Sequence, residues 1–417
     1  LKKLKIAILS YRSAPFGGGQ GIYVNDISRA LSIMGHKVDV ISGPPYPHLS
    51  DQVNLIKLPG LDLFQTFSFK ERLKIFLQKR NKKFIDFYEF SSTFFGGFPE
   101  MRTFGYRVNN FLKINNNYDV VIDNQSLSYG ILEIQKRFPF IEIIHHPISK
   151  DFKFELESAN SFLYKLSRYR WYSFLKMQKK VAKKINRIIT PSKNSLRDIV
   201  VDFGSNKENI KVINNGLDIN IFTPYKEIKR IPFKLITTAS ADVALKGLDY
   251  TLKSLFILSK EFSEISLLVI GKMKNDGHTS RLIDELSIQD RVTFKTDLTK
   301  EEIAKEYASS SIAIVSSLYE GFGYPVIEAM SCEIPLVATN TASIPELVGE
   351  FASLVSPKSE NELSESIKNI FNNYQEYEKI AESGRQHIID NFNWLKITQE
   401  YEEMIFKTIQ DFKNADL

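Results

Sequence analysis

The stretch Ser316–Glu346 reads S-S-L-Y-E-G-F-G-Y-P-V-I-E-A-M-S-C-E-I-P-L-V-A-T-N-T-A-S-I-P-E. It follows the apolar run Ile312 to Val315, and the change to small and polar residues marks the carboxyl end of a buried parallel strand. Gly321 and Gly323 let the backbone approach a ligand where a Cβ would stand in the way. Pro325 suits a first helical position, since its fixed φ is helical and its missing N–H is no loss there. Glu320 therefore lies on the loop leaving a strand, and Glu328 sits one turn into the next helix. Between them, N–H groups at a helix N-terminus offer a place for a phosphate. Two carboxylates flanking an anion site suit a ligand with hydroxyls at both ends and phosphate in the middle, which is the shape of a nucleotide-sugar. A strand–glycine–helix turn alone is common to doubly wound proteins. The second glutamate, the aromatic between two glycines and the later I-P-E make this one specific.

The stretch resembles the signature of the retaining glycosyltransferases of the GT4 family, whose E-x7-E element is matched by Glu320 and Glu328. The resemblance implies an α/β chain of the GT-B fold. Such a chain has two Rossmann-like doubly wound domains with parallel sheets, facing each other across an interdomain cleft. The second domain would hold the nucleotide-sugar donor and the first the acceptor. On this reading Glu328 accepts from both ribose hydroxyls, because two acceptor oxygens match a diol. Glu320 and the Gly321–Phe322–Gly323 backbone meet the sugar, and the N–H groups of Tyr324 and Val326 face the leaving diphosphate. The family needs neither metal nor further cofactor, so the expected metal set is none, and the donor is expected to be a UDP-sugar.

The chain has 417 residues, enough for two ordinary domains, and its 43% hydrophobic and 25% charged content is that of a globular protein. One cysteine, Cys332, rules out an internal disulfide and points to a reducing, cytoplasmic setting. No apolar run reaches the roughly 18 residues that span a bilayer. The opening L-K-K-L-K-I-A-I-L-S is too short in its apolar part for a signal peptide and reads as a first strand. The net charge of +6 is unevenly placed: residues 62–115 carry about +5 and residues 150–187 about +8, leaving about −7 elsewhere. Both basic stretches are rich in Phe, Tyr and Trp. A helix there with Phe69, Leu73, Phe76 and Leu77 on one face either packs on the core or lies on an anionic membrane surface. The second stretch reads as one long amphipathic helix. Two such patches in one domain favour a peripheral membrane surface and a lipid acceptor; nucleic acid is not an expected partner.

Taken in order, Lys5–Ser10 is a strand followed by the loop S-A-P-F-G-G-G-Q-G and a helix, a βαβ opening. Its glycines do not spell G-x-G-x-x-G, so a dinucleotide fingerprint is not met. The family resemblance places Gly18 and Gly19 over the donor phosphates. Strands end at D-N-Q (123–125) and at H-H-P (145–147), and a histidine at a parallel strand's carboxyl end is a functional candidate. The resemblance assigns His145 to the transferred sugar, with His146 as second choice. N-N-G-L-D-I-N-I-F-T-P matches the family's domain junction, and Asn215–Gly216 calls for a left-handed turn. The expected domains are 1–215, 216–395, and a returning helix 396–417 marked by Trp394. In A-S-A-D-V-A-L-K-G, Lys246 is placed to neutralise a diphosphate. The family's arginine falls on Ala241, so Ser240 and, as second choice, Asp242 are the expected substitutes. Glu333 stands where the family has glycine and would cost about 1 kcal/mol in a left-handed position. Two other readings stay open: the same transfer to a soluble glycan, protein or metabolite, and a non-catalytic nucleotide-sugar-binding module.

Overall fold

The computed structural model describes residues 2–13, 19–63, 66, 68–157, 159 and 161–415. It divides into two compact units: Leu1–Pro191 with Ser195–Ile213 and Thr398–Leu417, and Asn214–Ile397 with Ser192–Asn194. The boundaries read from sequence were 215 and 395; contacts divide the chain at 213 and 397.

The first unit is built on a parallel sheet of β1 (Lys5–Ser10), β2 (Lys37–Ser42), β3 (Asn54–Lys57), β4 (Val120–Asn124), β5 (Phe140–Ile143), β6 (Ile188–Thr190) and β7 (Ile210–Val212). Its order is β3-β2-β1-β4-β5-β6-β7. Central strands such as β1 and β4 are buried nearly throughout because helices cover both faces. The helix Gly19–Ile33 sends Val24, Ile27 and Leu31 into that core. The last helix, Trp394–Ala415, brings Tyr401 and Glu402 to this unit, where the Tyr23 hydroxyl donates to Tyr401 Oη at 2.7 Å and His36 Nε2 lies 3.0 Å from Glu402.

The second unit repeats the plan with β8 (Lys234–Thr238), β9 (Ser266–Ile270), β10 (Val292–Lys295), β11 (Ile312–Val315), β12 (Leu336–Thr339) and β13 (Ser353–Val355). All pair in parallel, in the order β10-β9-β8-β11-β12-β13. In each sheet the winding reverses at one point, between β1 and β4 in the first and between β8 and β11 in the second. The carboxyl ends of the strands at such a reversal are the usual ligand position in doubly wound sheets.

Two sequence expectations change, and one open choice is narrowed. Residues 162–182 form the helices Phe162–Trp171 and Leu175–Ala182 with a 3-10 turn at Tyr172–Phe174 between them, not one long helix. The turn drops Tyr172 and Phe174 into the core, which a continuous helix would not allow. Asn215–Gly216 is not left-handed. Gly216 is needed for close approach instead: a Cβ there would stand 2.5 Å from the Trp394 ring. In the helix Phe69–Gln78, only Phe76 is buried, while Phe69 and Leu77 are exposed. Glu333, by contrast, does hold the left-handed conformation, at φ 54°.

Candidate active site

The loops leaving β8 and β11 flank the switch point of the second sheet. Gly247 ends the first loop at φ 62°, and a Cβ on it would stand 2.0 Å from Ser316 O. Ser316 Oγ donates to Gly247 O at 3.0 Å, and Leu318 N donates to Leu245 O at 2.7 Å. These bonds hold the two loops edge to edge and aim Lys246 across the gap. Its Nζ donates to Glu320 Oε1 at 2.6 Å, and Ser317 Oγ donates to the same oxygen at 2.7 Å. The two residues that sequence reading assigned to phosphate and to sugar thus lie in direct contact.

After Glu320 the chain enters the helix Tyr324–Ser331 through Gly323, whose φ of 115° suits glycine alone. The loop's carbonyls are tied back. Ser192 Oγ donates to Gly321 O at 2.7 Å, and Ser343 Oγ lies within hydrogen-bond reach of the Glu320 and Phe322 carbonyls. Phe322 is buried and packs edge-on to the half-buried Tyr324 ring, 5.5 Å between centroids, which fixes the turn from below. One expectation is corrected here. Val326 is fully buried and its N–H donates to Gly323 O at 3.1 Å, because the first helical turn closes tightly on Pro325. That amide is already committed; Tyr324 remains at the opening of the helix.

Glu328, half-buried, lies one turn further on beside Tyr307, whose hydroxyl also meets Thr238 Oγ1 at 3.0 Å. Burial, then the Glu328 charge, pushes the Tyr307 hydroxyl well above the ordinary phenol range. Ser240 is exposed at the end of β8, and Ala241 is buried among the apolar residues of the core. Asp242 turns away from this switch point. Its carboxylate accepts from Thr279 N at 2.9 Å and Lys274 N at 3.3 Å, bracing the loop after β9. Burial alone would raise that carboxyl, but these N–H bonds outweigh it and hold it low.

In the first unit, Gly18 lies outside the described residues, and Gly19 opens its helix in an exposed position. His145 follows β5 and is gripped on every side. Its N–H donates to Gln125 Oε1 at 2.8 Å, its carbonyl accepts from Ser195 Oγ at 2.8 Å, and its Nε2 lies 2.8 Å from Asn124 Oδ1. The Tyr23 ring packs edge-on against it, 4.7 Å between centroids. Burial, with a smaller contribution from His146, lowers the ring to about 3, so it is neutral at pH 7. With Asn124 Oδ1 accepting, Nε2 carries the hydrogen and Nδ1 keeps its lone pair. His146 turns elsewhere, its Nε2 being 2.9 Å from Asp151 Oδ2. Asn124, Gln125, Ser317 and Ser343 were not singled out from sequence. The D-N-Q at the end of β4 was the available signal for the first two.

The two basic aromatic stretches meet in this unit. The Phe98 and Trp171 rings stack at 5.1 Å, and a Cβ on Gly96 would lie 3.7 Å from the Arg170 Cβ. In these stretches Phe84 is 86% exposed, Phe95 75%, Phe162 79% and Leu163 74%. Exposed Lys70, Lys74, Arg80, Lys83, Lys165 and Arg170 belong to the same helices and turns. Among the described residues, no helix is long and apolar enough to cross a membrane.

Residues 17–221 match the Glycosyltransferase Family 4 domain, and residues 225–387 match the Glycosyl transferases group 1 domain. The chain is 38% identical over 403 residues to the MMP α-(1→4)-mannosyltransferase of Mycolicibacterium hassiacum, covering 95% of this chain and 96% of that protein. It is 24% identical to a probable sucrose-phosphate synthase of Thermosipho melanesiensis, over 94% of this chain and 92% of the relative. Among solved structures, the sucrose-phosphate synthase of Thermosynechococcus elongatus superposes with a TM-score of 0.75 at 18% identity, over 98% of this chain and 100% of that one. Anabaena HepE in complex with UDP-glucose superposes with a TM-score of 0.70 at 16% identity, over 97% and 100%. These likenesses carry the fold: two parallel-sheet α/β domains of the GT-B type.

Proposed function

The chain belongs to glycosyltransferase family 4 and is a sugar-transferring enzyme, and we propose that it moves a hexose from a UDP-hexose to a hydroxyl of a lipid or lipid-linked acceptor, with retention and without a metal ion. The observation that carries this reading is the meeting of Lys246, Glu320 and the opening of the helix Tyr324–Ser331 at the second switch point, with Glu328 one turn below. The diphosphate takes the positive end, where Lys246 and the Tyr324 amide stabilise it as it leaves. Each preorganised donor of this kind is worth about 3 kcal/mol in the transition state. Glu328 reads the ribose diol. Glu320, close to Lys246, meets the sugar hydroxyls and the positive charge that grows at the anomeric carbon. His145, a neutral imidazole, suits a hydrogen bond to a sugar hydroxyl.

In the proposed step the bond from the anomeric carbon to the β-phosphate oxygen breaks. The acceptor oxygen bonds to that carbon on the same face, and its proton passes to the departing phosphate. No protein nucleophile is required. Lys246 and the amide supply the counter-charge, so transfer should persist in a chelator. The lipid acceptor rests on the exposed aromatics and cations of the first unit, which suit a peripheral position on an anionic membrane face.

A panel of nucleotide-sugars tests the reading by thermal shift, followed by NMR of the product's anomeric configuration. UDP-hexoses should stabilise the protein and give a product with the donor's configuration. Stabilisation by no nucleotide-sugar, or an inverted product, would overturn it. A second reading, mannose as the sugar, is favoured by the relative named as an α-(1→4)-mannosyltransferase. GDP-mannose and UDP-hexoses in one panel decide between the two.

A further inference from the structure

Asp123 and Glu142 have no part in the transfer as described, yet both are fully buried. β4 and β5 pair in parallel with Asp123 directly opposite Glu142, so the two carboxyl groups leave the same face of the sheet side by side. The residues flanking them on the outer strands are Leu9 on β1 and Ile188 on β6, which bring no counter-charge. Two ionised carboxylates cannot stand in contact without water, so one keeps a proton. The geometry says which. Asp123 Oδ2 accepts from Ser126 N at 2.9 Å, Ser126 Oγ at 2.7 Å and Leu127 N at 3.4 Å, all favouring its charged form. Glu142 has burial and the Asp123 charge against ionisation, which push it well above the glutamate range. Burial raises Asp123 as well, to about 6. Among the described residues, Asp123 Oδ1 and both Glu142 oxygens have no other hydrogen-bond partner, so a proton held by Glu142 has the facing carboxylate as its acceptor.

The turn that Asp123 closes is strained. Gln125 has φ 58° and Leu127 φ 45°, left-handed values that non-glycine residues rarely adopt. From that turn Gln125 accepts the His145 N–H and donates through Nε2 to His146 O at 2.7 Å, while Asn124 meets the His145 ring. The turn that Asp123 closes through Ser126 and Leu127 thus carries, at Asn124 and Gln125, the groups that grip His145.

We propose that Asp123 and Glu142 are positioning residues for His145, a latch that holds the histidine in its working geometry only while the pair shares one proton. This rests on the reading that His145 serves sugar transfer. Among the described residues, buried Tyr11 at the end of β1 also faces Asp123, with Arg12 and Glu100 beyond it. Tyr11 stays protonated, since burial chiefly and Asp123 in part push its hydroxyl up.

The test uses the full chain labelled with 15N-histidine, the His145 signals being assigned by their loss in His145→Asn. As the pH is raised, wild-type His145 should stay neutral yet show a shift transition as Glu142 ionises. Glu142→Gln, which still donates to Asp123 and cannot ionise, should abolish that transition. Asp123→Asn, if Glu142→Gln fails to fold, should move it down by at least about one pH unit. Turnover on the donor selected by the nucleotide-sugar panel should fall about tenfold per pH unit above the transition, in kcat and not in KM, and this limb should be absent in Glu142→Gln. A wild-type ring signal without the transition, or a Glu142→Gln protein that keeps it, would overturn the latch. A His145→Ala enzyme with wild-type turnover would overturn the reading beneath it instead, with the ring transition intact in wild type.

Discussion

Lys246 Nζ donates to Glu320 Oε1 at 2.6 Å, so the cation proposed to meet the diphosphate is held by the carboxylate proposed to meet the sugar. A diphosphate must draw the lysine away. Glu320→Gln removes that competition and should tighten UDP a few-fold, about 1 kcal/mol or less because Lys246 is part-exposed and screened. The same enzyme should transfer about a hundredfold more slowly, since the charge near the anomeric carbon is gone. Calorimetry and initial rates check the two halves separately. Weaker UDP binding would show that Glu320 supports the phosphate site and does not compete for it.

Glu328→Ala should weaken UDP by about 1.5 to 3 kcal/mol, the range for hydrogen bonds to a charged group. Tyr307→Phe removes a neighbour of Glu328 without removing the carboxylate, and should cost clearly less. Equal losses in the two variants would mean that Glu328 acts only through Tyr307.

Gly247 leaves no room for a side chain, because the Ser316 carbonyl stands 2.0 Å from the place of a Cβ and is itself part of the loop weld. Gly247→Ala should destabilise the second unit by on the order of 3 kcal/mol or more and displace Lys246. Gly323→Ala meets the flexible end of Leu347 at 3.3 Å and Val326 at ordinary contact distance, so it should cost mainly its backbone strain, about 1 to 2 kcal/mol. Thermal melts of both variants give the comparison.

Burial lowers His145 from 6.5 to about 3, and the sign of its effect on stability follows. Below pH 6.5 the unfolded chain takes up a proton that the folded chain refuses, so stability is lost as pH falls from 6.5 toward 3. Above 6.5 the group contributes no slope. His145→Asn should therefore flatten the stability profile between about pH 5 and about pH 6.5, by about 1 to 2 kcal/mol at the acid end, and leave the slope above pH 7 unchanged. Denaturant melts across that range read it directly.

Vesicles of anionic phospholipid should carry the protein upward in flotation, and vesicles of zwitterionic lipid should not. Phe162→Ser with Leu163→Ser should reduce recovery about tenfold without changing the melting temperature, because both side chains lie outside the core. Raised salt should weaken the association through Lys165, Arg170 and their neighbours. Equal recovery with both lipids would favour a soluble acceptor.

The sequence made the second half legible because its chemistry is local. Glu320, Gly323, Pro325 and Glu328 lie within one turn and one helix, so spacing alone sets their geometry. The left-handed Glu333 was readable only through the glycine that the family has at that place. What escaped depends on partners far along the chain. Val326 was assigned to a phosphate although the tight first turn consumes its N–H, and spacing does not reveal such a closure. Gly216 answers to Trp394 and not to its own turn. The break at Tyr172–Phe174 is set by the core that receives those rings. Glu142, an acid inside an apolar strand, was the visible irregularity, but its meaning required knowing that Asp123 faces it across the β4–β5 pair.

Lys246 and Glu320 stand 74 positions apart and touch only because β8 and β11 are neighbours. No fragment containing one without the other can form this ion pair, and a chain still assembling its second sheet lacks the donor site proposed above. Nucleotide added during refolding should therefore leave the earliest collapse untouched and act afterwards, slowing the reopening of that half alone by mass action. In a calorimeter the donor would then split a merged endotherm in two, and the size of the split would measure how independently the halves melt.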